Sequence, residues 1–248
     1  MLKSPIDMTK AAWQTFTKRW KFFVLLTIAA MIIPGIVFFI GGAIAAAAGI
    51  GAAVGGSRMG LVFIVGLVML VAYLAAIYIS IVFYAGLMMA VADEQINTVR
   101  DAFNRAKPKA KDLFVVALLV SIIVAIASLF LLIPGIYLAI CYSFAAWMCL
   151  LEGKKGMDAL KASKDLVAGR WLAVFGRLIA FVLIIWICVA VPQAVFALIR
   201  MPFLAGLWSI ATALAITPVA GIYSYMFYQN LKQTKVSAPA TPVAPMQA

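Results

Sequence analysis

The side chains that could do chemistry are few, and their spacing suits catalysis poorly. Histidine is absent, which excludes a Ser-His-Asp triad, a His-ligated metal centre and a His proton relay. The three cysteines, Cys141, Cys149 and Cys188, sit in apolar runs without CxxC spacing, so neither a disulfide framework nor a metal knuckle is expected. The eight acids are spread over separate polar segments. Glu152, Asp158 and Asp165 form the one close set. Asp158 and Asp165, seven residues apart, share an outward helix face on which Lys161 and Asp165 make an i,i+4 pair. The glycines at 41, 42, 49, 51, 55 and 56 follow no strand, so they make no nucleotide site. They suit close GxxxG-like packing or an open external backbone equally. No catalytic residue, metal or cofactor is expected.

The elements that would have to position any site are membrane helices. Of 248 residues, 67% are hydrophobic and 11% charged, against about 45–50% and about 25% in soluble domains. Apolar runs that read as spans fall at 22–40, 61–90, 113–133, 136–151, 172–191 and 203–227; against the ~20 residues a bilayer requires, the second is long, so it tilts, protrudes or is broken, and the fourth is slightly short. The runs are continuous rather than alternating, which excludes a β-barrel. Pro134-Gly135 reads as a tight turn between the third and fourth spans, Pro192 as the end of the fifth, and Thr217-Pro218 as a kink in the sixth.

Charge sets the expected orientation. Of the 20 basic residues, 18 lie before span one, between spans two and three, near the link of spans four and five, or after span six. Arg58 and Arg200 alone fall on the other side. The positive-inside rule then places both termini in the cytoplasm. Ala43-Ile44-Ala45 has the small-x-small form of a cleavage site, but 21 patterned residues precede the apolar run, so span one is expected to be retained. Residues 1–231 then form one polytopic domain. Residues 232–248, with Pro239, Pro242 and Pro245, are expected to be a disordered cytoplasmic tail. The net charge of +12 is accounted for by anionic lipid beside these segments, so nucleic acid is not an expected partner.

The cytoplasmic segments read as amphipathic helices. In the first, Ser4, Pro5 and Asp7 match an N-cap, a first helical residue and a capping-box partner. Ile6, Trp13, Phe16 and Trp20 are assigned to one stripe, with Lys10, Lys18, Arg19 and Lys21 among the basic residues around it. Such a helix fits the headgroup region, with Arg170 and Trp171 anchoring a second point of the interface. Packing against the other cytoplasmic helices is equally compatible with the pattern. The second segment has a Thr98–Asp101 capping box and is expected to end at Pro108. The third puts Leu160, Ser163, Leu166 and Val167 on one face and ends at Gly169. A unit of amphipathic helix, span, turn and span therefore recurs. Pro134 and Pro192 stand 58 residues apart, and Ala102 and Ala159 stand 57 apart, which suggests a triplicated hairpin.

No acid or lysine lies mid-span, where coupled transporters and pumps usually place one. Arg177 is expected to snorkel to the surface. Tyr142, Ser143, Arg177 and Gln193 are the candidates for a polar cavity. Glu152 is expected to meet Arg170 at the base of a hairpin, and Ser163 to hydrogen-bond a neighbouring backbone, since an unpaired buried hydroxyl is costly.

The stretch Ile133-Pro134-Gly135-Ile136-Tyr137, with Tyr142-Ser143-Phe144, Glu152-Gly153, Ala159-Leu160-Lys161, Ser163 and Gly169-Arg170-Trp171, resembles the membrane domain found beside glycerophosphodiester phosphodiesterase domains. It is also similar to YciC-like bacterial inner-membrane proteins. The resemblance covers about 40 residues in its specific part and implies six helices in hairpin repeats and a link to envelope or lipid processes. It also implies a place in the bacterial inner membrane, and no catalysis, because the phosphodiesterase activity of that family belongs to a separate soluble domain.

The expectation is thus an all-α integral membrane protein of six spans with both termini inside. Its function is read as non-enzymatic, with basic helices that contact anionic headgroups, a protein partner or a second copy. The alternative is a transporter of small solutes or lipid, with a cavity at the Pro34 and Pro218 kinks.

Overall fold

The computed structural model describes residues 4–54 and 58–236, with side chains described at 4–47, 62–129 and 131–235. Among these residues nine α-helices follow in order: α1 (Pro5–Lys18), α2 (Trp20–Val54), α3 (Arg58–Ala92), α4 (Val99–Phe130), α5 (Leu132–Cys141), α6 (Ala145–Glu152), α7 (Gly156–Val167), α8 (Trp171–Leu198) and α9 (Pro202–Val236). No strand occurs among them. Six segments are long and apolar enough to cross a membrane: α2, α3, α4, the pair α5–α6, α8 and α9. Gly55, Gly56 and residues 237–248 lie outside the described residues. Helix α9 carries 232–236, past the boundary expected for the tail.

Prolines mark fewer ends than the sequence suggests. Pro34, Pro108, Pro192 and Pro218 all lie inside helices. At Pro108 the amphipathic segment and the third span are one helix, because the missing i→i−4 bond falls on Asn104, which is exposed and can be solvated. At Pro34, Pro192 and Pro218 the helix continues because unwinding it in lipid would strand several backbone groups, whereas a proline frees one. Pro134 does not make the turn of the hairpin. Leu131, in extended conformation, separates α4 from α5, and Pro134 sits in the first turn of α5, where no helical partner for its nitrogen exists. The two helices leave this turn in close contact: a Cβ on Gly135 would overlap Ser128 Oγ and fall 2.9 Å from Ser128 Cα.

The fourth span is broken. Residues 142–144 interrupt it between α5 and α6, at the Tyr142-Ser143-Phe144 motif. Capping differs between the amphipathic segments. Thr98 Oγ1 accepts from Asp101 N at 3.1 Å and donates to Asp101 Oδ2 at 2.6 Å. Ser4 holds the N-cap position, but its hydroxyl makes no capping bond. After α7, Gly169 takes φ 75°, a left-handed conformation that suits glycine.

Packing is concentrated where the basic segments gather. The core there joins Met8, Ala12 and Phe16 of α1, Ala102, Ala106 and Ala110 of α4, Leu160 and Val167 of α7, and Ile222, Phe227 and Leu231 of α9. At the far end, large apolar side chains stand open: Phe39 is 77% exposed, Leu129 86% and Leu198 83%. Lipid tails solvate leucine as well as protein does, so nothing drives those halves to bury it. Small residues at the basic end let helices approach instead; Gly86 would put a Cβ 3.1 Å from Ala102 O.

Candidate functional site at the basic end of the bundle

Helix α1 has two apolar faces. Met8, Ala12 and Phe16, spaced i, i+4, i+8, are buried against the bundle. Trp13 lies about 100° around the helix from Ala12, with Ile6 two turns earlier nearly in line. Both stay open, Trp13 at 51% and Ile6 at 57% exposure. Trp20, at the start of α2, is 51% exposed as well. Lys10, Lys18 and Lys21 are exposed, and none forms an ion pair among the described residues. Phe16 belongs to the buried face rather than to the open stripe with Trp13, although their ring centroids are 5.5 Å apart.

Arg19 does different work from its basic neighbours. It sits in the break between α1 and α2, where its guanidinium donates to Ala90 O, Ile96 O and, at 2.9 Å, Asn97 Oδ1. It lies 5.0 Å from the Phe22 ring centre. These bonds fasten α1 to the end of α3 and withdraw Arg19 from the interface set. Trp171 is withdrawn in part too: its indole donates to Tyr137 O at 3.2 Å and its ring stacks on Tyr137 and Phe175.

Glu152 and Arg170 do not meet. Glu152 Oε1 accepts from Tyr228 Oη at 2.6 Å and Lys232 Nζ at 2.9 Å, while Oε2 pairs with Lys154 at 3.2 Å. Arg170 donates to Thr234 Oγ1 at 2.6 Å, and Lys235 donates to Asp165 O at 2.7 Å. The end of α9 thus inserts between the two residues and holds both sides of the link. Ser163, fully buried, bridges the broken span: it donates to Cys141 O at 2.7 Å and accepts from Phe144 N at 3.2 Å. Lys155 pairs with Asp112 at 2.9 Å, and the hydrogen bond to that carboxylate raises the Lys155 ammonium above the usual lysine range. The sequence points to none of Tyr228, Lys232 and Thr234 as partners of this link, because the sixth apolar run ends at 227 and the expected tail begins at 232, whereas α9 continues to Val236.

The four polar cavity candidates are not brought together. Arg177 and Gln193 lie on one helix about 24 Å apart at 1.5 Å per residue. Arg177 donates to Ala173 O at 2.9 Å, and its own carbonyl accepts from Tyr223 Oη at 3.1 Å. Tyr142 and Ser143 form the turn of the broken span, where Ser143 Oγ donates to Ile140 O at 2.8 Å. Gln193 Oε1 is buried with no hydrogen-bond partner among the described residues. Pro218 is not among the residues that border the groove at Pro34. Pro34 borders a groove of about 640 Å³ between α2 and α3, beside Tyr73, Ser80 and Tyr84. A second groove of about 640 Å³ lies between α8 and α9 beneath α1, lined mainly by apolar side chains and flanked by Lys10 and Trp13.

No group of three or more His, Cys, Asp or Glu side chains that could hold a metal ion occurs among the described residues. No protein family model, curated protein or solved structure matches the chain. The fold and its surface therefore define the class: an all-α polytopic membrane protein with six candidate spans.

Proposed function

We propose that the chain is a non-enzymatic protein of the bacterial inner membrane, with both termini cytoplasmic, and that its basic end contacts the anionic headgroups of the inner leaflet. Its role is in envelope maintenance or lipid handling, as the resemblance to glycerophosphodiester phosphodiesterase membrane domains and YciC-like proteins suggests. The observation that carries this reading is the division of α1 into two faces. Met8, Ala12 and Phe16 hold it on the bundle. Trp13, Trp20, Lys10, Lys18 and Lys21 remain exposed, the composition of an interfacial helix.

The test uses the full chain equilibrated with vesicles of equal phosphatidylglycerol and phosphatidylcholine, followed by analysis of the lipids that co-isolate. Phosphatidylglycerol should be enriched, and the enrichment should shrink at high salt. A Lys18→Gln/Lys21→Gln variant should lose about fivefold per lysine, from about 1 kcal/mol each near an anionic surface. Equal retention of both lipids by the wild type at low salt would sink the reading. The basic end would then be a surface for a protein partner or a second copy.

A further inference from the structure

The groove between α8 and α9 is built like a receptacle for one lipid tail. One wall is Ile184, Ile185 and Cys188 of α8; the other is Ala211, Ala215 and Val219 of α9. The residues recur at i, i+3 or i+4, so each wall is a continuous stripe. Hydroxyls along it are occupied internally: Thr212 Oγ1 donates to Trp208 O at 2.8 Å, and Thr9 Oγ1 to Pro5 O at 2.8 Å. At the deep end Trp208 closes the floor, its indole donating to Val189 O at 3.4 Å.

Its dimensions and polarity run in the same direction. From Val219 to Trp208 is eleven residues along α9, about 16 Å, which matches half of a hydrocarbon core about 30 Å thick. The volume of about 640 Å³ is in the range of sites that enclose small ligands, about 300–1,000 Å³. The polar groups left open are at the end beneath α1, where Lys10 and Gln14 stand on the rim beside Thr9 and Trp13, whereas Thr212 and Trp208 further down are bonded to backbone carbonyls. No acidic side chain lines the groove among the described residues, and Lys10 has no ion-pair partner there.

We propose that this groove holds one acyl chain of an anionic phospholipid from the leaflet at the basic end, with the lipid phosphate against Lys10. The proposal rests on the interfacial reading of α1 for its orientation and adds to it a single defined site. The lipid anchors α1 to α8 and α9, so its occupancy sets how firmly the amphipathic helix is held on the bundle.

Photolabelling of the full chain in nanodiscs tests this. The probe is a phosphatidylglycerol with a diazirine midway along one acyl chain, and adducts are mapped by mass spectrometry. Adducts should concentrate on Ile185, Cys188, Ala211 and Ala215, well above Trp186, Ile187 and Ile210 on the outward faces of the same helices. Unlabelled phosphatidylglycerol should compete, and phosphatidylcholine should not. Lys10 is exposed, so Lys10→Gln leaves the fold intact, and it should cut groove labelling about fivefold. Lys18→Gln/Lys21→Gln should leave groove labelling unchanged while lowering the overall enrichment of anionic lipid, which separates failure of the site from failure of the interfacial reading. Even labelling of all outward-facing residues, labelling that phosphatidylcholine or a free fatty acid competes for equally, or labelling indifferent to Lys10→Gln would each overturn the proposal.

Discussion

Replacing Ser163 with alanine removes one oxygen atom from the protein and should cost far more than that atom's packing. Ser163 is fully buried, and its two partners, Cys141 and Phe144, are 2% and 1% exposed. Its hydroxyl satisfies both backbone groups left by the break between α5 and α6, the Cys141 carbonyl at 2.7 Å and the Phe144 N–H at 3.2 Å. In Ser163→Ala both become orphans that neither water nor headgroup can reach. An orphaned buried group costs about 1–3 kcal/mol, whereas a hydrogen bond between membrane helices averages about 0.6 and reaches about 1.7 kcal/mol. The absence of any alternative partner favours the larger scale, so the loss should be about 2–4 kcal/mol. Unfolding by a denaturing detergent, followed through tryptophan fluorescence, reads the stability; Trp147 sits three residues past the break. Hydrogen exchange over residues 141–150 locates the effect, with the Phe144 amide losing protection. A stability change below about 0.5 kcal/mol with that amide still protected would refute the reasoning. The break would then be held by apolar contacts such as Phe144 against Phe227, whose ring centroids are 5.5 Å apart.

Three further outcomes are expected. Gly135→Ala should destabilise the α4–α5 hairpin by about 1–3 kcal/mol through overpacking against Ser128, and Ser128→Gly should restore part of the loss in the same unfolding assay. Arg200 adopts φ 54° at the end of α8, where Met201 N donates to Phe196 O at 3.0 Å and Arg200 N to Ala197 O at 3.1 Å. This is the position where glycine usually ends a helix, so Arg200→Gly should raise stability by about 0.5–1 kcal/mol. Glu152→Gln and Lys232→Gln should be non-additive: their double-mutant cycle should give a coupling of about 0.5–1 kcal/mol, as expected for a partly exposed pair, and none would mean the contact is idle in solution.

The prolines show what a one-dimensional reading can and cannot reach. The number of spans and the Thr98 cap are local properties, set by run length and by a side chain three residues from the N–H it accepts from. Pro108, Pro134 and Pro192 were read as ends or turns on the same local logic. That logic prices a proline against water, where an ended helix is solvated at no further cost. At Pro192, inside a span, the comparison is with several stranded backbone groups, and the helix continues; at Pro108 the one freed carbonyl is solvated, and at Pro134 the turn falls three residues earlier, at Leu131.

Hydropathy determined that this chain belongs in a membrane, because no soluble globule could cover so much apolar surface. It left undecided which apolar side chain meets protein and which meets lipid, since the two environments are nearly equivalent for leucine or tryptophan. Only the tertiary structure separated Met8, Ala12 and Phe16 on the inner face of α1 from Trp13 and Ile6 on the open one. The partners of Glu152 and Arg170 were likewise beyond the sequence. Both lie in one link and could have met each other, but α9 returns to the basic end some 60 to 80 residues later and supplies Tyr228, Lys232 and Thr234 at shorter reach. Contacts at that separation depend on how the spans pack side by side, which no local pattern encodes.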